Sequence, residues 1–179
     1  MTDLWHTKRT GDVHGETSML IRKADGGEML KLWGYPDADH ASPTARFFYH
    51  HISSGNTVFW ALDHDGELIG ELYVFLDIEE DRDFADGVTT AYLCAFRVRK
   101  EYRGQGLGTA MINTALLDLK FKGFRRATIG VNDERNENLY RALGFTAKIK
   151  DCYIDPCAMD ENMCPVRDEE GYSLLAKEL

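Results

Sequence analysis

The sequence has few cysteines, no long apolar run and no excess of positive charge, and each shortage excludes a class of protein. Its 4 cysteines are too few for a disulfide scaffold of 179 residues, so we expect free thiols. No apolar run approaches the roughly 20 residues of a membrane span, and residues 1–9 lack the apolar core of a signal peptide. We therefore expect a cytoplasmic protein without membrane contact. The net charge of −9, with no stripe of Lys and Arg, disfavours nucleic acid as a partner.

Length and composition predict a single domain with one sizeable core. At 179 residues and 44% hydrophobic content, the chain needs no second domain to bury its apolar side chains. We predict a polar N-terminal arm over residues 1–17 and one domain over residues 18–179. The sequence leaves open whether this domain forms a homodimer.

Apolar periodicity and turn residues predict a mixed α/β fold. The helices are expected at residues 26–33, 42 or 44 to 54, 106–122 and 134–143, and the strands at residues 18–23, 57–63, 67–76, 89–98, 126–131, 145–153 and 172–178. Because a helix links strands 89–98 and 126–131, we expect these two to be parallel. The acidic segment 77–86 predicts a solvated hairpin loop; the alternative is that its charge attracts a cationic substrate.

A glycine-rich run, Arg103 to Gly108, follows a predicted strand and begins a predicted helix. Glycines allow tight turns, and a helix start offers unpaired N–H groups and the positive end of its dipole, so this run predicts a phosphate site. The lysine of a nucleotide-hydrolase loop is missing, since Leu107 follows Gly106. A dinucleotide fingerprint would need a third glycine where Thr109 stands and an acid at residues 124–128, which carry none.

What remains is the pattern Arg/Gln-x-x-Gly-x-Gly/Ala, matched by Arg103, Gly106 and Gly108. It resembles the acetyl-CoA pyrophosphate loop of the GNAT acyltransferases. A second segment, Leu139-Tyr140-Arg141-Ala142-Leu143-Gly144-Phe145, is similar to the family's Leu-Tyr-x-x-x-Gly-Phe. The resemblance implies a mixed, mostly antiparallel sheet of six to seven strands with a splayed parallel pair and about four flanking helices. It also implies acetyl-CoA as co-substrate.

The resemblance assigns the acetyl-CoA contacts. The pantetheine arm would lie between the splayed strands against the backbones of Phe96, Arg97 and Val98. The pyrophosphate would bind the N–H groups of the glycine-rich run, which comprises Arg103, Gly104, Gln105, Gly106, Leu107, Gly108 and Thr109. Where relatives use an asparagine for the pantetheine, position 133 is Asp, so we choose Asn136, with Asn132 as the alternative.

Transfer to an amine sets three chemical requirements. The amine must be neutral, although an alkylammonium of pKa near 10.4 loses its proton in only about one molecule in a few thousand at pH 7. The thioester oxygen needs a donor, for which we choose the Val98 N–H. The CoA thiolate needs an acid, and Tyr140 stands where a family tyrosine commonly donates. The base stays open: relatives place a glutamate where this chain has residues 92–95, and Glu71, Asp133, a water chain or a backbone carbonyl are the alternatives.

The acceptor site is predicted from Trp33 and Tyr35, from Tyr92, and from a long loop over residues 150–171. His50 and His51 point about 100° apart on one helix, so at most one could face this site. Cys152, Cys157 and Cys164 lack the Cys-x-x-Cys spacing of zinc sites and no histidine follows them, so we expect no metal.

These features together predict an acetyl-CoA dependent N-acetyltransferase that acts by direct attack in a ternary complex. Its acceptor is expected to be a primary amine of a small cationic molecule. Two alternatives stay open at this stage: an acetyltransferase for protein N-termini or lysines, and a non-catalytic acyl-CoA binding or sensing module.

Overall fold

A computed structural model describes residues 17–179, so the predicted arm lies outside the described residues except for its last position. Within this range the chain forms seven strands and four α-helices. The strands are β1 (Met19–Ala24), β2 (Thr57–His64), β3 (Glu67–Phe75), β4 (Thr90–Val98), β5 (Arg126–Val131), β6 (Ala147–Met159) and β7 (Pro165–Glu178). The helices are α1 (Gly26–Leu32), α2 (Pro43–Ser53), α3 (Leu107–Phe121) and α4 (Glu134–Ala142).

The strands form one sheet in the order β1-β2-β3-β4-β5-β7-β6. All neighbours are antiparallel except β4 and β5, which are parallel because α3 connects them. The predicted mixed α/β fold, with a mostly antiparallel sheet and one parallel pair, is therefore confirmed. No helix among the described residues is long and apolar enough to cross a membrane.

Both faces of the sheet are covered, because the strands direct apolar side chains to each face in turn. Leu72 and Val74 of β3 belong to a core built with α3 and α4, whereas Tyr73 and Phe75 belong to a second core built with α1 and α2. Successive side chains of a strand point to opposite faces, so a nearly continuous apolar strand fills both cores. The sheet therefore separates an α3/α4 face from an α1/α2 face.

The last two strands are longer than predicted, and the expectation of a long loop over residues 150–171 was wrong. β6 and β7 form a long hairpin whose turn is closed by Asp160, which accepts hydrogen bonds from Asn162 N (2.8 Å) and Cys164 N (3.0 Å). Thr44 of α2 joins the hairpin to the helix layer, since its Oγ1 accepts from Met159 N at 3.0 Å. The outer half of the hairpin packs against the protein on one side only. Its sequence is therefore polar and resembles that of a loop.

The acidic segment 77–86 is more ordered than a solvated loop. Ile78, Phe84 and Ala85 are buried in the α1/α2 core, while Asp86 accepts hydrogen bonds from the N–H groups of residues 88–90. Its acids also have internal partners, because Lys150 Nζ lies 2.6 Å from Asp81 and 2.9 Å from Asp83. The segment is therefore anchored to the sheet, with its charges partly neutralised.

Candidate active site

The parallel strands β4 and β5 separate halfway along β4. Their last pair is Leu93 with Ile129, although β4 continues to Val98, and no later pair joins them in residues 17–179. At this point β4 carries one residue more than its neighbour β3, and Ala95 adopts a left-handed φ of 49°. A bulge of this kind bends a strand and increases its twist. The bulge accounts for the gap between β4 and β5.

The backbone of β4 beyond the bulge is available to a ligand. Arg99 N donates to Ile69 O of β3 at 2.8 Å, and successive peptide groups of a strand point to opposite sides. The Val98 N–H therefore points away from β3, towards the gap. On the same side Val98 O accepts a hydrogen bond from Arg103 Nε at 2.7 Å.

The glycine-rich run supplies the second group of backbone donors. Gly104 and Gly106 have φ angles of 74° and 77°, a region that favours glycine, and a Cβ on either would meet no atom within 4 Å. No described residue accepts a hydrogen bond from the N–H groups of residues 104–109 at the start of α3. Free N–H groups at the start of a helix form a cradle that can bind an anion.

Gly108 fixes the distance between this cradle and β4. A Cβ at Gly108 would lie 2.7 Å from Phe96 Cζ, closer than two carbon atoms can approach. The Phe96 ring therefore packs directly on the first turn of α3. Because Phe96 also lines the gap between the strands, the cradle and the gap are continuous.

A cavity of about 270 Å³ occupies the gap and passes through the sheet. It is lined by Trp33, Thr44 and Phe48 of the α1/α2 layer, by residues 92–96 of β4, by Ile129, Gly130 and Tyr140, and by Asp155, Cys157 and Ala158 of β6. Tyr140 belongs to the α3/α4 core and Tyr92 to the α1/α2 core, so the cavity is reached by side chains from both faces. Of the predicted site residues, Trp33, Tyr92, Phe96 and Tyr140 meet here.

Tyr140 lies in the cavity wall with its hydroxyl protonated. Its side chain is 7% exposed, and its hydroxyl forms no hydrogen bond with a described residue. Burial, assisted by the charge of Asp133, raises the pKa of Tyr140 to about 12. The hydroxyl is therefore protonated at neutral pH and available to a ligand in the cavity.

Glu71 lies outside the cavity lining, and both of its oxygens are occupied. Oε2 accepts from Trp33 Nε1 and from Tyr73 OH, each at 2.7 Å, and Oε1 accepts from Arg97 Nε at 2.5 Å. Burial and the Glu71 charge raise the pKa of Tyr73 well above its usual range, so this phenol stays a donor. With both oxygens engaged by donors, the Glu71 carboxylate holds the Trp33 indole, which lines the cavity, in place.

The residues at the start of α4 also bind one another. Asp133 caps the helix, accepting from Asn136 N at 2.8 Å and from Asn136 Nδ2 at 2.6 Å. This pair lies outside the cavity lining, as does Asn132, the alternative to Asn136. Tyr35 packs against the α1/α2 core rather than the cavity.

The two histidines and the cysteines have separate surroundings. Neither His50 nor His51 lines the cavity, and burial lowers the pKa of His51, which packs on Phe47 and Phe75. All four cysteines carry free thiols, as predicted. Among residues 17–179, no three His, Cys, Asp or Glu side chains form a group that could hold a metal ion.

Three functional groups in the cavity were not assigned a role by the sequence analysis: Cys94, and Asp155 and Cys157 of the segment 150–171 that was expected at the acceptor site. Burial and a contact with Cys94 raise the pKa of the Cys157 thiol, so it stays protonated. Asp155 carries the one formal charge of the lining. The sequence did not single out Asp155 within this segment, because its place depends on how the β6–β7 hairpin folds back against α2.

Comparison with known proteins agrees with this geometry. A sequence model described as "Acetyltransferase (GNAT) family" matches residues 28–145. No curated protein matches the sequence.

Several solved acetyltransferases have the same fold. A GNAT family acetyltransferase from Elizabethkingia anophelis with acetyl-CoA bound has a TM-score of 0.55 at 17% identity, covering 91% of this chain and 98% of its own. An aminoglycoside 6'-acetyltransferase type Ii scores 0.58 at 16% identity, with coverages of 89% and 96%. Arabidopsis thaliana NAA60 in complex with a bisubstrate analogue scores 0.59 at 19% identity, with coverages of 90% and 98%. At these identities the likeness establishes the fold.

Proposed function

The chain belongs to the GNAT family of acetyltransferases, and we propose that it transfers the acetyl group of acetyl-CoA to a primary amine of a small molecule. The observation that carries this proposal is the cavity through the sheet at the gap between β4 and β5. One end adjoins the free N–H groups at the start of α3, and the other is walled by α1, α2 and the β6–β7 hairpin. A donor and an acceptor can therefore meet from opposite faces.

The acetyl-CoA contacts follow from the free backbone groups. The pyrophosphate binds the free N–H groups of residues 104–109; the Arg103 N–H, also expected from the sequence, already donates to Lys100 O at 3.2 Å. The pantetheine lies along β4 at Phe96, Arg97 and Val98. The fold neighbour with bound acetyl-CoA supports this co-substrate. Arg103, held by Val98 O, adds a positive charge beside the cradle. Asn136 serves this site only indirectly, through its bonds to Asp133.

The reaction needs a donor for the thioester oxygen and an acid for the sulfur. The Val98 N–H, which points into the gap, is the proposed oxyanion donor. As the C–N bond forms and the C–S bond breaks, Tyr140 gives its proton to the sulfur and regains one from the nitrogen. Each turnover thus moves one proton from nitrogen to sulfur, and Tyr140 ends as it began.

A small acceptor is favoured over a protein acceptor by the position of the hairpin. Thr44 of α2 bonds to Met159 of β6, and this contact bridges the acceptor end of the cavity. An extended peptide could bind there only by breaking the contact. The second candidate, acetylation of protein N-termini or lysines, requires that this bridge be displaced.

Thiol release from acetyl-CoA tests the proposal with a panel of small primary amines, peptides with free N-termini and lysine peptides. We expect release with small amines and none with peptides. Release with peptides alone would support the protein acetyltransferase. Tight acetyl-CoA binding without release for any acceptor would make the chain a binding module, and absence of acetyl-CoA binding at micromolar concentration would refute the donor site.

A further inference from the structure

The acceptor end of the cavity combines one carboxylate with aromatic walls. Trp33, Phe48 and Tyr92 present their rings, while Asp155 carries the formal negative charge of the lining. Two other polar groups of these walls are already engaged: the Trp33 indole N–H donates to Glu71, and the Thr44 hydroxyl contacts Met159 O at 3.4 Å. The Tyr92 hydroxyl and the thiols of Cys94 and Cys157 complete the polar lining. An acceptor therefore meets aromatic rings and these small polar groups around a single carboxylate.

Asp155 has a structural partner but no cation. Its Oδ1 accepts from Cys157 N at 2.9 Å, which fixes the side chain on β6. No Lys, Arg or His among residues 17–179 forms an ion pair with it. Its charge instead acts on neighbouring phenols and a thiol, contributing to the raised pKa values of Tyr92, Tyr172 and Cys157, for which burial is the largest cause.

An unpaired carboxylate in a partly dry cavity is costly until a cation binds to it. Aromatic faces also attract ammonium groups. Both features select a cation, and the site holds only one carboxylate for it. A second ammonium on the same small molecule would lose its hydration without a partner.

Resting on the proposed acetyltransferase function, we propose that Asp155 binds the acceptor's amino group and that the acceptor is a primary monoamine with an apolar or aromatic body. The free oxygen Oδ2 accepts an N–H of the bound ammonium. The ammonium then loses one proton to solvent water, and the neutral amine, still hydrogen-bonded to Oδ2, attacks the thioester. Because the attacking nitrogen becomes positive as its bond to the acetyl carbon forms, the same oxygen also stabilises the transition state.

Asp155→Asn tests the role of the charge. The amide oxygen can still accept from Cys157 N, so the hairpin keeps its hydrogen bond. We expect kcat/KM for hexylamine to fall about 100-fold, within the range measured for losing one such electrostatic group, with an unchanged acetyl-CoA Kd. The matched control is Asp151→Asn on the same strand, whose carboxylate pairs with Lys148 at the surface; it should retain full activity.

The substrate class is tested with hexylamine against 1,6-diaminohexane, which share a chain and differ in one ammonium group. We expect hexylamine to be at least tenfold better in kcat/KM, and 2-phenylethylamine to be a substrate. Equal kcat/KM values for the two hexyl compounds, or a kcat/KM of Asp155→Asn within threefold of that of the parent chain, would overturn this inference. Neither result would contradict the proposed acetyltransferase function. If no amine releases CoA, the proposed function fails, and calorimetric binding of hexylamine to the CoA complex of both proteins still decides the role of Asp155.

Discussion

Replacing Tyr140 by phenylalanine should separate chemistry from folding and binding. The hydroxyl has no hydrogen-bond partner among the described residues, so its removal strands no buried group. We expect Tm to change by less than about 2 °C and the acetyl-CoA Kd by less than about twofold. A general acid contributes about 10²–10⁴ in rate. Because a thiol of pKa near 8.5 leaves fairly well as a thiolate, we expect the lower end, a loss in kcat of about 100-fold or about 2.7 kcal/mol.

The pH dependence of this loss follows from the raised pKa. Since the pKa of Tyr140 is about 12, the acid form is retained at lower pH and disappears only as pH rises through that value. The ratio of the two kcat values should therefore stay constant from pH 6 to pH 10. Thiol release measures both rates, and Tyr153→Phe, at a 53% exposed tyrosine, is the matched control. A Tyr140→Phe variant with kcat within threefold of the parent chain, at equal acetyl-CoA affinity, would refute the assignment.

Three further changes test the supporting structure. Although the motif allows alanine at this position, Gly108→Ala should raise the acetyl-CoA Kd about threefold by calorimetry, because its Cβ would lie 2.7 Å from Phe96 Cζ and the ring has to move. Glu71→Ala removes the acceptor of two buried donors, each worth about 1–3 kcal/mol, so Tm should fall by at least about 4 °C in a thermal melt. At Asp86, burial acts to raise the pKa, but hydrogen bonds from Thr89 and neighbouring N–H groups outweigh it and hold the pKa well below its usual range. Its stabilisation is present above about pH 4 and lost as pH falls, so the urea midpoints of the parent chain and Asp86→Asn should converge between pH 5 and pH 2.

Each of these three predictions has a control variant and a result that would contradict it. Thr114→Ala also changes α3 but should leave acetyl-CoA binding unchanged; an unaltered Kd in Gly108→Ala would show that Phe96 does not set the site. Glu67→Ala removes only an exposed ion pair with Arg99, so an equal Tm loss there would mean that the Glu71 network adds nothing. A stability difference at Asp86 that is independent of pH would contradict its depressed pKa.

Most of the fold could be predicted because its signals are local. Alternation of apolar residues located β2 to β5, and Gly106 marks the start of α3 at its cap position. The hairpin was different: Asp155-Pro156 and Gly171 favour turns in sequence, yet these residues lie within β6 and β7. Their extended form depends on pairing between the strands and on the contact of Thr44 with Met159, which local patterns do not encode.

The candidate site likewise has parts that the local sequence predicts and parts that depend on tertiary contacts. The cradle is a property of consecutive residues, so its position followed from spacing alone. The partners of Glu71 come from the residue after α1, from β3 and from β4, and through them Glu71 anchors Trp33 rather than lining the cavity as a base. Ala95 is an ordinary strand residue in sequence, and only the mismatch between β3 and β4 gives it a left-handed φ.

The long hairpin has a consequence for how this protein can change its substrate. The donor-side groups, from Phe96 to Tyr140, all lie within the segment matched by the family model, residues 28–145, whereas Asp155 lies beyond it. β7 is held in the core at Leu174 and Leu175, and three residues of the outer hairpin, Asp155, Cys157 and Ala158, line the acceptor end of the cavity. If Asp155 binds the acceptor as proposed, substitutions at these three positions would change the amine that is used while the donor-side residues stay the same, so acceptor choice is the property most accessible to engineering.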